Sequence, residues 1–285
     1  MQSVPRARRW AIYVGLAVLF AIACAFLSNW QFTRNESRAA QLALVAANYD
    51  AEPVELAELI PPGEALHPGD QWHAVRLTGS YLADEQLLVR NRPHGGTAAF
   101  EVLVPFRLED GRVIVIDRGW VPPGETQPDP DVVPAAPEGE VTVLARLRAG
   151  EGLPSSGRSA PAGQVPTINL GLVAEATVPE VGAALEQSAY AVMFSEAPAP
   201  AERPNPLEAP SEDPGPHLSY ALQWILFAIM GFVFIGYVIR TERRHRREDA
   251  EDAGTDAAHG VADAPRRRRD RDAADEDALL DRAGR

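Results

Sequence analysis

Two uninterrupted apolar runs, one near each end of the chain, limit what this sequence can fold into more than any other feature. Trp10 to Leu27 gives 18 residues without a charge, and Leu218 to Ile239 gives 22 more. A helix of about 18 residues, rising 1.5 Å per residue, spans roughly 27 Å and so nearly crosses the hydrocarbon layer of a bilayer. Arg6, Arg8 and Arg9 precede the first run, and Arg240, Arg243, Arg244, Arg246 and Arg247 follow the second with only Glu242 opposing them. Basic flanks stay cytoplasmic, which predicts a hairpin of two transmembrane helices with both termini inside. Residues 28–217 would then lie outside, carrying 12 Arg against 27 Asp and Glu. A cleaved signal or lipid-modified cysteine at Ala23-Cys24-Ala25 is the competing reading, but the apolar run continues through Phe26 and Leu27, favouring an uncleaved anchor.

Charge and cysteine content remove several classes. All 27 basic residues are Arg, and the net charge of -13 argues against nucleic acid as a partner. One cysteine, Cys24, excludes an internal disulfide and a thiolate metal site.

Between the two runs the pattern changes from helix to strand, predicting a membrane protein of α+β class, with a β-rich extracytoplasmic domain. Residues 35–50 read as a short helix rising from the membrane. After Pro61-Pro62-Gly63, strands are expected over Trp72–Thr78, Leu87–Arg90, Glu101–Arg107, Arg112–Asp117, Val141–Leu147 and Tyr190–Phe194. Asp110-Gly111 supplies the positive φ of a tight hairpin. Val113-Ile114-Val115-Ile116 is apolar at every position, so it should lie mid-sheet with both faces covered. Arg118 to Pro123 should end that strand, and the six prolines from Val121 to Gly139 mark a surface loop. Weak helical signal over Leu172–Ser188 is interrupted by Pro179.

The resulting division is residues 1–9 as a cytoplasmic N-terminus, 10–27 as the first transmembrane helix and 28–196 as the outer domain. Residues 197–217 form a proline-rich connector, 218–239 the second transmembrane helix, and 240–285 a cytoplasmic tail. Seven prolines in residues 197–216 predict a stiff, extended connector. The tail has 12 Arg and 13 acidic residues with few large apolar side chains, a composition expected to be disordered.

No phosphate loop, dinucleotide fingerprint or nucleophile elbow is present. The six histidines include no pair at i, i+3 or i+4, which excludes a helical di-histidine metal site. No acid/base pair stands out, so no catalytic residue is assigned. Candidates remain where the apolar runs meet the outer domain. Trp30 and Arg34 share a helix face and can form a cation–π pair or serve as an interfacial anchor. His217, Tyr220 and Trp224 fall at i, i+3 and i+7 on one stripe. A neutral imidazole there is either an axial ligand for haem iron, with aromatic neighbours for the porphyrin, or an interfacial capping group.

Four motifs, in order, give the chain a family likeness. They are Leu27-Ser28-Asn29-Trp30-Gln31-Phe32-Thr33-Arg34, Val89-Arg90-Asn91-Arg92-Pro93 with Gly95-Gly96, the Asp110-Gly111 hairpin leading to Val115-Ile116-Asp117-Arg118-Gly119-Trp120-Val121-Pro122, and His217-Leu218-Ser219-Tyr220-Ala221-Leu222-Gln223-Trp224. On these motifs the chain resembles the Surfeit locus protein 1 family of cytochrome c oxidase assembly factors. It departs from the family pattern at Ser28, where Gly is common, at Pro216, where Asn is common, and at Gln223, where Thr is common. The resemblance implies a non-enzymatic role in a bacterial plasma membrane. The cargo would be haem a, and the partners the oxidase catalytic subunit and the haem a synthesis machinery. His217 matches the family's proposed haem-binding histidine, with Tyr220 and Trp224 beside it. Trp30, Arg34, Arg92, Arg118 and Trp120 are expected to be structural or partner-facing, with Arg118 and Trp120 fixing the outer domain against the membrane face or a partner. The alternative is a membrane scaffold that steadies an oxidase intermediate without touching haem.

Overall fold

The computed structural model describes residues 6–154, 157 and 159–258. The chain divides into two compact units: the helix pair, up to Trp30 and from Ser219 onward, and the outer part, Gln31–Leu218.

Helix α1 runs unbroken from Arg6 to Asn48. The short helix expected over residues 35–50 is therefore its outer end. Nothing between Asn29 and Arg38 is Gly or Pro, so no residue there stops it. The last helix, called α5 because three short ones intervene, spans His217–Ala258. It corrects the expectation of disorder from residue 240: Arg246 pairs with Glu242 at 3.1 Å and Arg244 with Glu248 at 2.9 Å, both at the i, i+4 spacing that supports a helix. The rest of the expected disordered tail, residues 259–285, lies outside the described residues.

Within the helix pair, both helices are long and apolar enough to cross a membrane. Small residues form their seam: Cys24 and Ser28 on α1 and Ala221 on α5 are buried, and Ser28 Oγ donates to the Ala221 carbonyl at 3.0 Å. Close backbone approach through small residues is the usual way for helices to associate in lipid. The large apolar side chains turn outward, with Phe26 at 71% and Phe234 at 62% exposure. In water that surface would be a severe aggregation liability.

The outer part holds eight strands: β1 (Val54–Glu55), β2 (Ala74–Tyr81), β3 (Leu87–His94), β4 (Thr97–Leu108), β5 (Val113–Val121), β6 (Val141–Arg148), β7 (Gln164–Val165) and β8 (Tyr190–Ala197). Their order is β1-β2-β6-β8-β5-β4-β3-β7, and β2 also pairs with β4. That extra pairing closes β2, β6, β8, β5 and β4 into a ring. At the closure a Cβ on Gly79 would lie 2.0 Å from the Arg107 carbonyl oxygen, so only glycine lets the two backbones meet.

One hydrophobic cluster, with Leu77, Phe106, Ile114, Ile116 and Val143, fills one side of this sheet. A second, with Leu103, Val113, Val115, Ile168 and Val173, lies on the opposite face beneath α3 (Leu170–Ala176) and α4 (Pro179–Ala184). Alternate residues of β5 enter the two clusters, so both of its faces are covered, as its continuous apolar run predicts. Helix α2 (Leu56–Leu59) contributes Leu56 to the first cluster.

Several strands run further than expected, β4 from Thr97 and β8 to Ala197 among them, and two do so past a bulge. β3 continues through Asn91 to His94, and β5 through Arg118 to Val121. Each is carried past its apparent end by a bulge: β3 shifts register between Val89 and Arg92, where Asn91 has φ +60°, and β4–β5 shifts opposite Arg118–Gly119, where Gly119 has φ +124°. An extra residue bends a strand and re-aims its side chains without ending the pairing.

Candidate functional site

The bulge on β5 decides the fate of Arg118. Its guanidinium is wholly buried on the side of the first cluster, where Nη2 donates to Glu196 of β8 at 2.8 Å and Nη1 to the Pro134 carbonyl at 3.1 Å. The Tyr81 ring lies 5.2 Å from the guanidinium carbon, and its hydroxyl donates to the other Glu196 oxygen at 2.8 Å. Burial, followed by the Glu196 charge, pushes the Tyr81 phenol far above its ordinary value. The expectation that Arg118 faces the membrane or a partner is corrected: a side chain bonded through both Nη atoms and shut from solvent, with Nε buried and unpartnered, is an internal brace.

Trp120 is half-buried and stacks on His94, with ring centroids 5.5 Å apart and planes at 14°. Gly95 lies under the indole; a Cβ there would be 2.8 Å from the ring. The Trp120 backbone also exchanges hydrogen bonds with Asn205 at 2.9 and 2.8 Å. The proline-rich connector is therefore pinned to β5 and is not a simple spacer. Gly119 makes this possible, since a Cβ there would fall 2.2 Å from the Asn205 carbonyl oxygen.

Arg92 is turned inward by the β3 bulge and bridges Glu101 and Glu151, each at 2.6 Å, while Glu101 also meets His94 Nε2 at 2.9 Å. Burial pushes the Glu151 carboxyl up, but the Thr167 hydroxyl, Arg92 and the Ile168 N–H outweigh it and hold it below its usual range. Asp117, on the same face of β5, accepts only the Gly119 N–H at 3.1 Å. Burial and the nearby Glu101 charge raise its carboxyl well above the ordinary value. Arg92 and Trp120 thus hold the β3–β4–β5 corner together.

A different construction surrounds His217. The outer turns of α1 carry Gln31 and Arg38, two helical turns apart on one face. His217 Nδ1 lies 3.0 Å from Gln31 Oε1. Arg38 donates to the Ser211 carbonyl at 2.7 Å and to the Asp213 carbonyl at 3.0 and 2.9 Å. Asp213 in turn accepts the Gly215 N–H at 2.8 Å, fixing the turn that leads into α5. Gly215 has φ +73°, and a Cβ there would sit 3.5 Å from His217 Nε2 and Cδ2. Among the described residues Nε2 has no hydrogen-bond partner.

Of the other expected residues, Tyr220 is 46% exposed, and Trp224 packs edge-to-face on Phe227 at 5.7 Å; both belong to the helix pair. Trp30 is half-exposed there, and Arg34 is exposed in the outer part. The motif points to Trp30 and Arg34, whereas the structure brings Gln31 and Arg38 to His217 and the turn before it. The signal was nonetheless present: Cys24, Ser28, Gln31, Asn35 and Arg38 alternate at spacings of four and three, the period of a helix seam, and the seam becomes polar outward. No group of three or more His, Cys, Asp and Glu side chains among the described residues is placed to hold a metal ion.

Two helices long and apolar enough to cross a membrane, with a closed mixed sheet between them in the chain and a histidine held by Gln31 where the second helix begins, describe an α+β protein. The chain belongs to the SURF1 family, whose model matches residues 18–229. It is 35% identical over 246 residues to SURF1-like proteins of Mycobacterium bovis and Mycobacterium tuberculosis, covering 84% of this chain and 87% of theirs. It is also 27% identical over 119 residues to the cytochrome oxidase assembly protein SHY1 of Saccharomyces cerevisiae, covering 41% of this chain and 30% of that protein.

Proposed function

We propose that this chain is a non-enzymatic assembly factor for a haem-copper cytochrome c oxidase, and that it takes up haem a through His217 for handover to the catalytic subunit. Family membership and the yeast relative's name support the oxidase-assembly role. The observation that carries the haem step is the state of His217: one ring nitrogen is engaged by Gln31 and the other has no hydrogen-bond partner among the described residues. A neutral imidazole nitrogen is an ordinary axial ligand for haem iron. Gly215, beside the Nε2 edge, brings no side chain to it; a Cβ there would stand at ordinary contact distance, 3.5 Å. Haem a is amphiphilic, and a ligand at the outer start of an apolar helix would let it stay partly in lipid. Ligation by one imidazole also leaves the cargo releasable, as a carrier requires.

In this proposal the chain sits in a bacterial plasma membrane with both termini cytoplasmic, and it works beside the haem a synthesis machinery. The Arg flanks and the outward-facing apolar side chains of both helices support that placement. In a Cys24→Ser background, a reporter cysteine at Glu138 should label from outside, and one at Glu251 only after permeabilisation. Labelling of the Glu251 reporter in intact cells would overturn the topology.

The function is tested by replacing the chromosomal copy with His217→Ala. Reduced-minus-oxidised spectra of membranes should lose most of the haem a signal while the variant remains at its normal level. An unchanged signal would leave the scaffold role in place of haem delivery.

A further inference from the structure

We propose that Gln31 is the positioning residue for His217, fixing which ring nitrogen is offered to the iron and how strongly it donates. This rests on His217 being the haem ligand. An amide oxygen can only accept, so the 3.0 Å approach of Gln31 Oε1 puts the imidazole proton on Nδ1. The lone pair is thereby placed on Nε2. The opposite tautomer would carry a proton at Nε2 and could not ligate. An accepting group behind a ligating imidazole also raises its basicity, and such partners tune metal affinity as well as orientation.

Three further features make this a built arrangement. Gln31 lies on the uninterrupted helix α1, which gives its backbone a fixed position. Arg38, two turns further along α1, holds the Ser211 and Asp213 carbonyls, and Asp213 holds the Gly215 N–H, so the same helix also fixes the turn before His217. Gly215 takes φ +73°, which a side chain would strain, and brings no Cβ to the Nε2 edge, where one would stand in contact at 3.5 Å. One face of α1 therefore governs the ring at its Nδ1 side, and the turn governs it at its Nε2 side. The chain separation of 186 residues between Gln31 and His217 makes this a tertiary device, absent from either motif alone.

The test uses the full-length protein in lipid nanodiscs, titrated with hemin by absorbance and then reduced for resonance Raman measurement of the iron–histidine stretching mode. Gln31→Leu keeps the volume and removes the acceptor. Its hemin affinity should fall about 10-fold to 100-fold, the usual loss for a partner behind a metal-ligating histidine, and its stretching frequency should drop. Gln31→Glu supplies a stronger acceptor, so affinity should return and the frequency should rise above wild type. Opposite frequency shifts in the two variants establish positioning, which a packing role would not produce. If Gln31→Leu does not fold, the direction of the Gln31→Glu shift decides alone. Unchanged affinity and frequency in Gln31→Glu, with hemin binding lost in His217→Ala, would overturn the role of Gln31 while leaving His217 as ligand. Wild-type binding and frequency in His217→Ala would overturn both.

Discussion

Arg118 and His217 each come from a family-like motif, and each is gripped by a side chain remote in sequence, yet they are held to opposite ends. Arg118 spends two nitrogens on Glu196 and Pro134 and is closed off by the Tyr81 ring. His217 engages one nitrogen with Gln31 and has no hydrogen-bond partner at the other among the described residues. A charged group paired and shut from solvent inside the fold stabilises or specifies the fold; one with a ring nitrogen unpartnered at a part-buried place is available for ligand chemistry. Motif membership alone does not separate these two cases.

The sharpest way to break the contrast is to remove one member of the buried pair. Arg118→Met leaves the Glu196 charge inside the sheet domain without its partner, and breaking a buried pair in this way costs about 3–5 kcal/mol. Denaturant unfolding of the detergent-solubilised full chain should show that loss, and adding Glu196→Gln should recover much of it. A loss under about 1 kcal/mol would mean that Arg118 is not a brace.

Gly119→Ala should have the next largest effect. It forces a side chain into φ +124° and against the Asn205 carbonyl oxygen, a strain of about 1–3 kcal/mol. Hydrogen exchange at the Trp120 and Asn205 amides should accelerate together, because the pair of bonds joining β5 to the connector must open. Acceleration at neither amide would remove the connector's anchorage from the picture.

The smallest effect is expected at Asp117 and has a defined pH dependence. Its folded carboxyl titrates above its ordinary value. Between those two values the folded state holds a proton that the unfolded state has released, so stability falls as pH rises through that window. Asp117→Asn, which still accepts the Gly119 N–H, should be more stable than wild type at neutral pH. The gain should shrink as pH falls and vanish below the ordinary carboxylate range. A gain that persists in acid would assign the effect to something other than this charge.

Local signals were legible in the sequence wherever one stretch of chain settles its own conformation. The Leu108–Arg112 turn has Gly111 at φ +88° and Asp110 accepting the Arg112 N–H at 3.0 Å, as Asp-Gly implies. The apolar run in β5 announced a strand covered on both faces. The bulges were not legible, since Arg118-Gly119 reads as a strand end until β4 is known to pair beyond it. Closure of the sheet through Gly79 also depends on a remote strand. At the candidate site, His217 was found because its residue type suggests a chemistry. Gln31 and Arg38 were missed because an amide and a surface arginine suggest none until their partners are seen. The helical stretch 240–258 has a mixed charge that by composition implies solvation, while its pairs at i, i+4 support a helix.

The most direct measurement of the contrast is a hemin titration of wild type, His217→Ala and Arg118→Met in nanodiscs, run at a temperature where all three are folded by circular dichroism. Loss of hemin binding in His217→Ala, with binding retained in Arg118→Met, is the expected result. Equal hemin affinity in wild type and His217→Ala would contradict it.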